Sequence, residues 1–159
     1  MIYIFTGPIG SGKTTQLEKW VKTQDNAGGI LMPVCNGERH LFSILSKKLV
    51  PIEIKGEAAP DEIVKVGKFS FSKKVFDYGN SEILRSIDAA DTVIIDEIGP
   101  LELSGKGFFT SLKTIFEDKK RFNVIDLVLV IREGLVELTT ENFGLKDYSI
   151  ITNISSINS

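Results

Sequence analysis

The stretch that most constrains the fold of this chain lies at residues 7–14, which read Gly-Pro-Ile-Gly-Ser-Gly-Lys-Thr. This stretch matches the pattern G-x-x-x-x-G-K-[ST] at every fixed position. An apolar run at residues 2–5 precedes it, as expected for a buried strand. Leu17, Trp20 and Val21 follow at helical spacing. The order of strand, glycine-rich loop and helix predicts a loop whose backbone N–H groups surround an anion at the positive end of the helix dipole.

This loop supplies the predicted nucleotide-binding residues. The Lys13 ammonium can reach the β- and γ-phosphates of a nucleoside triphosphate, so we predict that it both binds and catalyses. The Thr14 hydroxyl is predicted to ligate Mg²⁺, the expected cofactor. Thr15 either contacts the α-phosphate or is an ordinary residue of the first helical turn. The predicted binding set is Gly7, Pro8, Ile9, Gly10, Ser11, Gly12, Lys13, Thr14 and Thr15.

A second candidate element is an apolar run that ends in two carboxylates. Residues 92–95 read Thr-Val-Ile-Ile, and Asp96 and Glu97 follow directly. Adjacent carboxylates at a strand end lose solvation unless a cation lies nearby, which a bound Mg²⁺ explains. Asp96 is therefore a predicted metal-site carboxylate, and Glu97 is predicted to activate a water for attack on the γ-phosphorus. Residues 96–99 also match the D-x-x-G of GTPase switch regions, but no Asn-Lys-x-Asp guanine-reading motif follows in the sequence.

Strands that alternate with helices predict an α/β fold, with a mostly parallel sheet flanked by helices. Residues 29–75 interrupt this alternation and are predicted to form an antiparallel hairpin insert. Asn36-Gly37 follows the apolar run 29–35 and is typical of a type I′ hairpin turn, because both of its positions need a positive φ.

Length and composition narrow the remaining possibilities. The chain has 159 residues, which suits one domain over residues 1–159. Within this domain, Ser81 is predicted to cap a helix at 82–90. The net charge is −2, so nothing favours binding to nucleic acid. No run approaches the roughly 20 apolar residues of a membrane span, so no membrane contact is expected. No signal peptide precedes the first predicted strand, which predicts a cytoplasmic location.

The two elements together resemble a known family. Residues 96–103 read Asp-Glu-Ile-Gly-Pro-Leu-Glu-Leu, close to the hallmark DEIGPMEL of the small P-loop nucleoside-triphosphatases, the thermophile-type or cancer-related nucleoside-triphosphatases. The loop fits the GPxGxGKTT that precedes this hallmark in the family. Residues 66–69 and 130–134 are similar to further family segments. The family's arginine-glycine-phenylalanine stretch differs here, at residues 37–42, so the resemblance carries no role onto Arg39.

The resemblance implies a RecA-like α/β fold, of the P-loop NTPase type. It also implies Mg²⁺-dependent hydrolysis of nucleoside triphosphates to the diphosphate and phosphate, with a loose preference among bases. Asp96 corresponds to the carboxylate of a Walker B strand in this comparison.

Arg132 is a further candidate, because it ends an apolar strand that should lie beside the phosphate loop. Phosphoryl transfer to water needs positive charge near the developing oxyanions, and Arg132 can supply it in cis. The alternative is a surface ion pair with Glu133 or Asp126.

Other candidates lie in or near the insert, and each has an ordinary structural alternative. Arg39 and Lys68 either fold over the nucleotide or are solvated surface charges. Glu102 either orients Glu97 and its water or caps the next segment. The aromatic side chains of the insert, among them Phe69, either stack on a base or belong to the core.

The leading functional hypothesis is a nucleoside-triphosphate phosphohydrolase that acts on ATP, GTP and other triphosphates. A nucleotide or small-molecule kinase is the first alternative, although such kinases usually have an arginine-rich lid and the arginines here lie far apart in the sequence. A non-catalytic nucleotide-dependent switch is the second. The triphosphate is the expected small-molecule partner, and the sequence identifies no protein partner.

Overall fold

A mixed sheet of eight strands forms the centre of the protein in the computed structural model, which describes residues 1–118, 120 and 123–158. A separate two-stranded hairpin lies beside it. In chain order the strands are β1 (Ile2–Phe5), β2 (Ala27–Leu31), β3 (Val34–Cys35), β4 (Glu38–Ser43), β5 (Lys48–Pro51), β6 (Ile63–Val66), β7 (Phe69–Ser72), β8 (Thr92–Ile98), β9 (Asp126–Ile131) and β10 (Ser149–Ile151).

The sheet is parallel over the strands that carry the site, in the order β10-β1-β9-β8-β2. β4 extends this sheet antiparallel to β2, and β3 and β5 both pair antiparallel with β4. The hairpin β6–β7 is attached to the segment after β5 by two backbone bonds of 2.8 Å, from Ile54 N–H to Ser70 O and from Ser72 N–H to Ile52 O. The predicted α/β fold with a mostly parallel sheet and antiparallel hairpins is confirmed.

Helices cover both faces of the sheet and bury two separate clusters. Phe5, Ile94 and Val128 pack on one face with Leu17 and Trp20 of the first helix. The second, larger cluster fills the other face, where residues of β8 and β9 that alternate with the first set meet the second and fourth helices. The helices bounded by described residues are α1 (Lys13–Val21), α2 (Lys73–Ala89), α3 (Pro100–Leu103), α4 (Phe109–Glu117) and α5 (Val136–Asn142), with 3₁₀ turns at Pro60–Glu62 and Ile154–Asn158.

The first helix after the insert begins earlier than the sequence predicts. α2 begins at Lys73, and the hydroxyl of Ser72 caps it by accepting a bond from Val75 N–H at 3.2 Å. The predicted cap, Ser81, lies inside α2 and donates its hydroxyl to Asp77 O at 3.1 Å. The prediction of a helix over residues 82–90 was therefore wrong at its start.

The apolar run 29–35 is not one hairpin strand. It divides after Leu31, and its first part belongs to β2, which pairs in parallel with β8. Asn36 and Gly37 form the tip of the β3–β4 hairpin with φ of 52° and 76°, so the predicted turn with two positive φ angles is confirmed. The antiparallel pairing around this turn begins only at β3.

Gly29 in β2 is a position at which the neighbouring strand leaves no room for a side chain. Its φ is +97°, and a Cβ there would lie 1.9 Å from the backbone oxygen of Ile94 on β8. Gly29→Ala is therefore expected to lower the free energy of unfolding by about 3 kcal/mol or more, measured by urea denaturation. Gly37→Ala is the control, because Gly37 also has a positive φ but meets no atom within 4 Å, and about 1 kcal/mol is expected there. Equal losses in both variants would contradict this account of β2.

Candidate active site

The glycine-rich loop follows β1, which lies between β10 and β9 in the parallel part of the sheet, and the loop ends in α1. Gly10 and Gly12 have φ of 74° and 80°, and Gly12 is the residue before the helix. Lys13 opens α1 and is only 8% exposed. Its Nζ donates to the carbonyl oxygens of Gly7 and Pro8, at 3.1 Å each, so its ammonium lies inside the curve of the loop.

The remaining loop residues differ in how they are placed. Ile9 points outward and is 83% exposed. Thr15 lies in the first turn of α1 and is exposed. Thr14 is half-buried and turns toward the sheet, where the acidic strand end lies.

A hydrogen bond between Thr14 and Asp96 joins the loop to the acidic strand end. Thr14 Oγ1 donates to Asp96 Oδ2 at 2.9 Å, across 82 residues of sequence. Asp96 is almost fully buried near the end of β8 and also accepts the backbone N–H of Met32 at 3.2 Å. Burial raises the pKa of Asp96 to about 6, and the bonds from Met32 and Thr14 oppose that rise.

Glu97 stands at an irregularity in the sheet. Asp96 is opposite Val130 and Ile98 is opposite Ile131, so the residue between them bulges out of the β8–β9 ladder. Arg132 follows β9, and its Nε and Nη2 donate to Glu97 Oε1 at 3.3 and 3.2 Å. Both side chains are about one third exposed. The partner of Arg132 is thus the candidate water-activating carboxylate.

The surface alternatives for Arg132 can be compared with this geometry. One of them, Asp126, carries an ion pair with the amino group of Met1 at 3.2 Å. Arg132 instead turns to the end of the sheet that carries the phosphate loop.

These groups line one side of a cavity of about 600 Å³. The hairpin β6–β7, β4 and the start of α3 form the other sides. Arg39 on β4 donates its Nη1 to the carbonyl oxygen of Met32 at 2.9 Å, which places its guanidinium close to Asp96. The cavity is lined by Thr14, Met32, Arg39, Val66, Gly67, Lys68, Phe69, Phe71, Phe76, Asp96, Glu97, Gly99, Pro100, Leu101, Glu102, Phe108 and Arg132.

Glu102 caps a backbone turn. It is 3% exposed, and its carboxylate accepts the N–H groups of Gly99 at 2.9 Å and of Phe108 at 3.0 Å. Of the two alternatives for Glu102, this geometry favours the cap. Burial raises the pKa of Glu102 to about 7, although the two backbone bonds oppose that rise.

The raised pKa of Glu102 makes stability depend on pH. The folded chain keeps this proton up to about pH 7, whereas the unfolded chain releases it near 4.5, so the folded state binds more protons between these values. Stability from this group is therefore lost as pH rises through that window, by up to about 3 kcal/mol. We expect the difference in unfolding free energy between the wild type and Glu102→Gln to fall by up to this amount between pH 4.5 and 7.5. A difference that does not change with pH would contradict the assignment.

Sequence reasoning missed Met32, whose contribution is a backbone N–H. A main-chain donor leaves no signature in residue type. The available signal was the position of Met32 directly after β2, beside the end of β8 in a parallel sheet.

Neither a membrane-spanning helix nor a cluster of metal-ligating side chains is found in the described residues. In the part of the chain that the structure describes, no helix is long and apolar enough to cross a membrane. Among the same residues, no group of three or more His, Cys, Asp or Glu side chains forms a potential metal cage.

Comparisons with known proteins point to one family. The sequence profile of a family described as "NTPase" matches residues 2–153. Nucleoside-triphosphatase THEP1 of Thermotoga maritima is 29% identical over 137 residues, 84% of this chain and 75% of that protein. Nucleoside-triphosphatase THEP1 of Methanosarcina barkeri is 30% identical over 125 residues, 72% of this chain and 70% of that protein.

A solved structure has the same fold. The crystal structure of THEP1 from the hyperthermophile Aquifex aeolicus superimposes with a TM-score of 0.71 and 22% sequence identity. The superposition covers 99% of this chain and 93% of that one.

Proposed function

Because the chain belongs to this NTPase family, we propose that it hydrolyses nucleoside triphosphates such as ATP and GTP to the diphosphate and inorganic phosphate, in a Mg²⁺-dependent reaction. The observation that carries the proposal is the bond of 2.9 Å between Thr14 and Asp96. It brings a phosphate-binding loop and an acidic strand end together, with Glu97 as the next residue.

The residues at this junction fit a magnesium ion. Mg²⁺ prefers oxygen ligands and is usually held by one or two carboxylates, with waters and substrate phosphates completing its shell. Thr14 Oγ1 and Asp96 Oδ2 are such oxygens, and they already adjoin. With a pKa of about 6, Asp96 is mostly ionised at neutral pH. When bound, Mg²⁺ would neutralise charge on the β- and γ-phosphate oxygens.

The loop's part in the reaction is to hold the triphosphate. Its N–H groups and the Lys13 ammonium surround the anion, and Lys13 would exchange its bonds to Gly7 and Pro8 for bonds to phosphate oxygens. Positive charge at this position would stabilise the negative charge that develops as the γ-phosphoryl group separates from the diphosphate.

Glu97 is the proposed general base. It would accept a proton from a water as that water attacks the γ-phosphorus and the bond between the β–γ bridging oxygen and the γ-phosphorus breaks. Both bonds from Arg132 end on Oε1, so we assign Oε2 to the attacking water. Arg132 thereby holds the carboxylate in place, and it is also near enough to the cavity to meet the developing negative charge.

Arg132→Ala is expected to lower kcat for phosphate release by about 10- to 100-fold, because the variant loses the contact that orients Glu97. KM should change much less, since Arg132 is not part of the loop. Arg132→Lys keeps the positive charge but cannot donate through two nitrogens of one planar group, so it should recover only part of kcat. If the kcat of Arg132→Ala equals that of the wild type, Arg132 does not contribute to the reaction.

Product analysis tests the proposal against a kinase and a switch. With Mg²⁺ and ATP alone, hydrolysis predicts equal amounts of ADP and inorganic phosphate over many turnovers, and chelation of the metal should stop both. Formation of ADP only when a nucleoside or nucleoside monophosphate acceptor is added would indicate a kinase. A single slow turnover with the product retained would indicate a switch.

A further inference from the structure

The cavity at the candidate active site is much larger than hydrolysis requires. The cavity measures about 600 Å³, within the range of sites for small organic ligands. Mg²⁺, the γ-phosphoryl group and an attacking water of about 30 Å³ would fill only the part of it beside Thr14, Asp96 and Glu97. Among the residues of the phosphate loop, all of which the structure describes, Thr14 alone lines it. The cavity therefore extends from Glu97 to the hairpin β6–β7, beyond the glycine-rich loop that is proposed to hold the triphosphate.

One wall of this space is a row of phenylalanine rings. Phe108 and Phe76 lie edge to face in the core, with centroids 5.1 Å apart, and Phe76 meets Phe71 at 6.3 Å. Phe71 stacks with Phe69 at 6.2 Å and 15° between the planes. The row ends at Phe69, which is 43% exposed in a hairpin that backbone bonds fix to the body of the protein. A flat ring packed against the exposed part of Phe69 would extend this row and bury more of that side chain.

The same space is flanked by two cations. Lys68 forms the hairpin turn and holds its Nζ 5.3 Å from the centroid of the Phe69 ring. Arg39 uses Nη1 on the Met32 carbonyl and keeps further N–H donors. Over the described part of the chain, neither cation forms an ion pair with a carboxylate within 4 Å. Both cations line the cavity and can therefore pair with an anion inside it.

We propose that this cavity binds a second small molecule, one that carries a planar aromatic ring and an anionic group, beside the terminal phosphate of the bound triphosphate. The ring packs on Phe69, and the anionic group lies between Lys68 and Arg39. A carboxylate and a phosphate monoester both supply that anionic group. The position beside the terminal phosphate rests on the proposed function.

Calorimetric titration of the full chain tests this site. The protein is first saturated with Mg²⁺ and a nonhydrolysable ATP analogue, so that the phosphate loop is filled. AMP is the phosphate probe, 4-hydroxybenzoate is the carboxylate probe, and adenosine is the uncharged control. We expect at least one anionic probe to bind at one site, with a Kd of about 1 mM or tighter. If AMP is the probe that binds, adenosine should bind at least about tenfold more weakly than AMP.

Variants show whether the binding occurs at the proposed place. Phe69→Ala and Lys68→Ala should each lower the affinity for the probe that binds by about tenfold. Lys65→Ala is the matched control, because Lys65 lies in the same hairpin but lines a different cavity, and it should change binding by less than about twofold. Thermal melts confirm that the variants remain folded. Saturable binding that is unchanged in Phe69→Ala overturns the proposal, as does the absence of saturation by either anionic probe up to about 10 mM.

Phosphate release by the wild type, measured on the same sample, separates the two proposals. Probe binding without phosphate release contradicts the proposed hydrolysis and supports the site. Phosphate release without probe binding supports the proposed hydrolysis and contradicts the second site.

Discussion

Glu97→Gln is expected to lower phosphate release by about 10²- to 10⁴-fold, because glutamine cannot accept the proton of the attacking water. The amide has nearly the same shape and keeps an oxygen for the bonds that Arg132 donates to Oε1. The phosphate loop does not depend on Glu97, so the affinity for triphosphate should remain within a few-fold of the wild type. Single-turnover phosphate release and equilibrium nucleotide binding measure the two quantities separately.

Glu133→Gln is the matched control, since Glu133 is an exposed glutamate that follows Arg132 directly. It should leave both phosphate release and nucleotide binding unchanged. If the two variants release phosphate at the same rate, the general base is not Glu97.

Lys13→Ala is expected to lower phosphate release by about 10²- to 10³-fold and to weaken triphosphate binding by at least about tenfold. Both effects follow from the position of the ammonium inside the loop, where it is 8% exposed and bonded to Gly7 and Pro8. Unlike Glu97→Gln, this variant therefore loses binding as well as turnover. Titration with a nonhydrolysable ATP analogue and steady-state kinetics measure the two losses.

Lys19→Ala tests whether any lysine of α1 has this effect. Lys19 lies in the last turn of the same helix and is exposed, so its loss should change neither binding nor turnover. Wild-type affinity in Lys13→Ala would contradict the assignment of the loop as the triphosphate cradle.

The strands that carry the site could be predicted from sequence, because their apolar runs are covered on both faces by helices. β2 could not, because its first residues are Ala-Gly-Gly, which resemble a turn. Those glycines are needed for contacts far away in sequence: a Cβ on Gly28 would lie 2.6 Å from Ser86 Cβ, and one on Gly29 would overlap Ile94. Secondary-structure propensity depends on neighbouring residues in the sequence, so it does not predict such contacts.

The start of α2 was hidden for a similar reason. Gly79-Asn80 resembles a helix break, yet the helix continues through it. The Asn80 side chain donates to Phe76 O and Gly107 O and accepts from Ser111 N–H, so partners outside α2 compensate for its low helix propensity.

Within the candidate site, the pairing of Thr14 with Asp96 followed from sequence, since the carboxyl ends of parallel strands meet at one edge of the sheet. The partner of Arg132 did not, because it depends on the bulge at Glu97. The contact of Arg39 with the Met32 carbonyl depends on where β4 joins the sheet, which side-chain patterns do not specify.

Hydrolysis at this site is tested most directly by the rate of phosphate release from ATP and from GTP, measured for the wild type and Glu97→Gln under the same conditions, with Mg²⁺ and with a chelator. Nucleotide occupancy is measured in every sample. Hydrolysis with Glu97 as the general base predicts multiple turnovers in the wild type that require Mg²⁺, and their loss in Glu97→Gln with the nucleotide still bound. Wild-type protein that binds nucleotide with Mg²⁺ but releases no phosphate would contradict it, and so would undiminished release by Glu97→Gln.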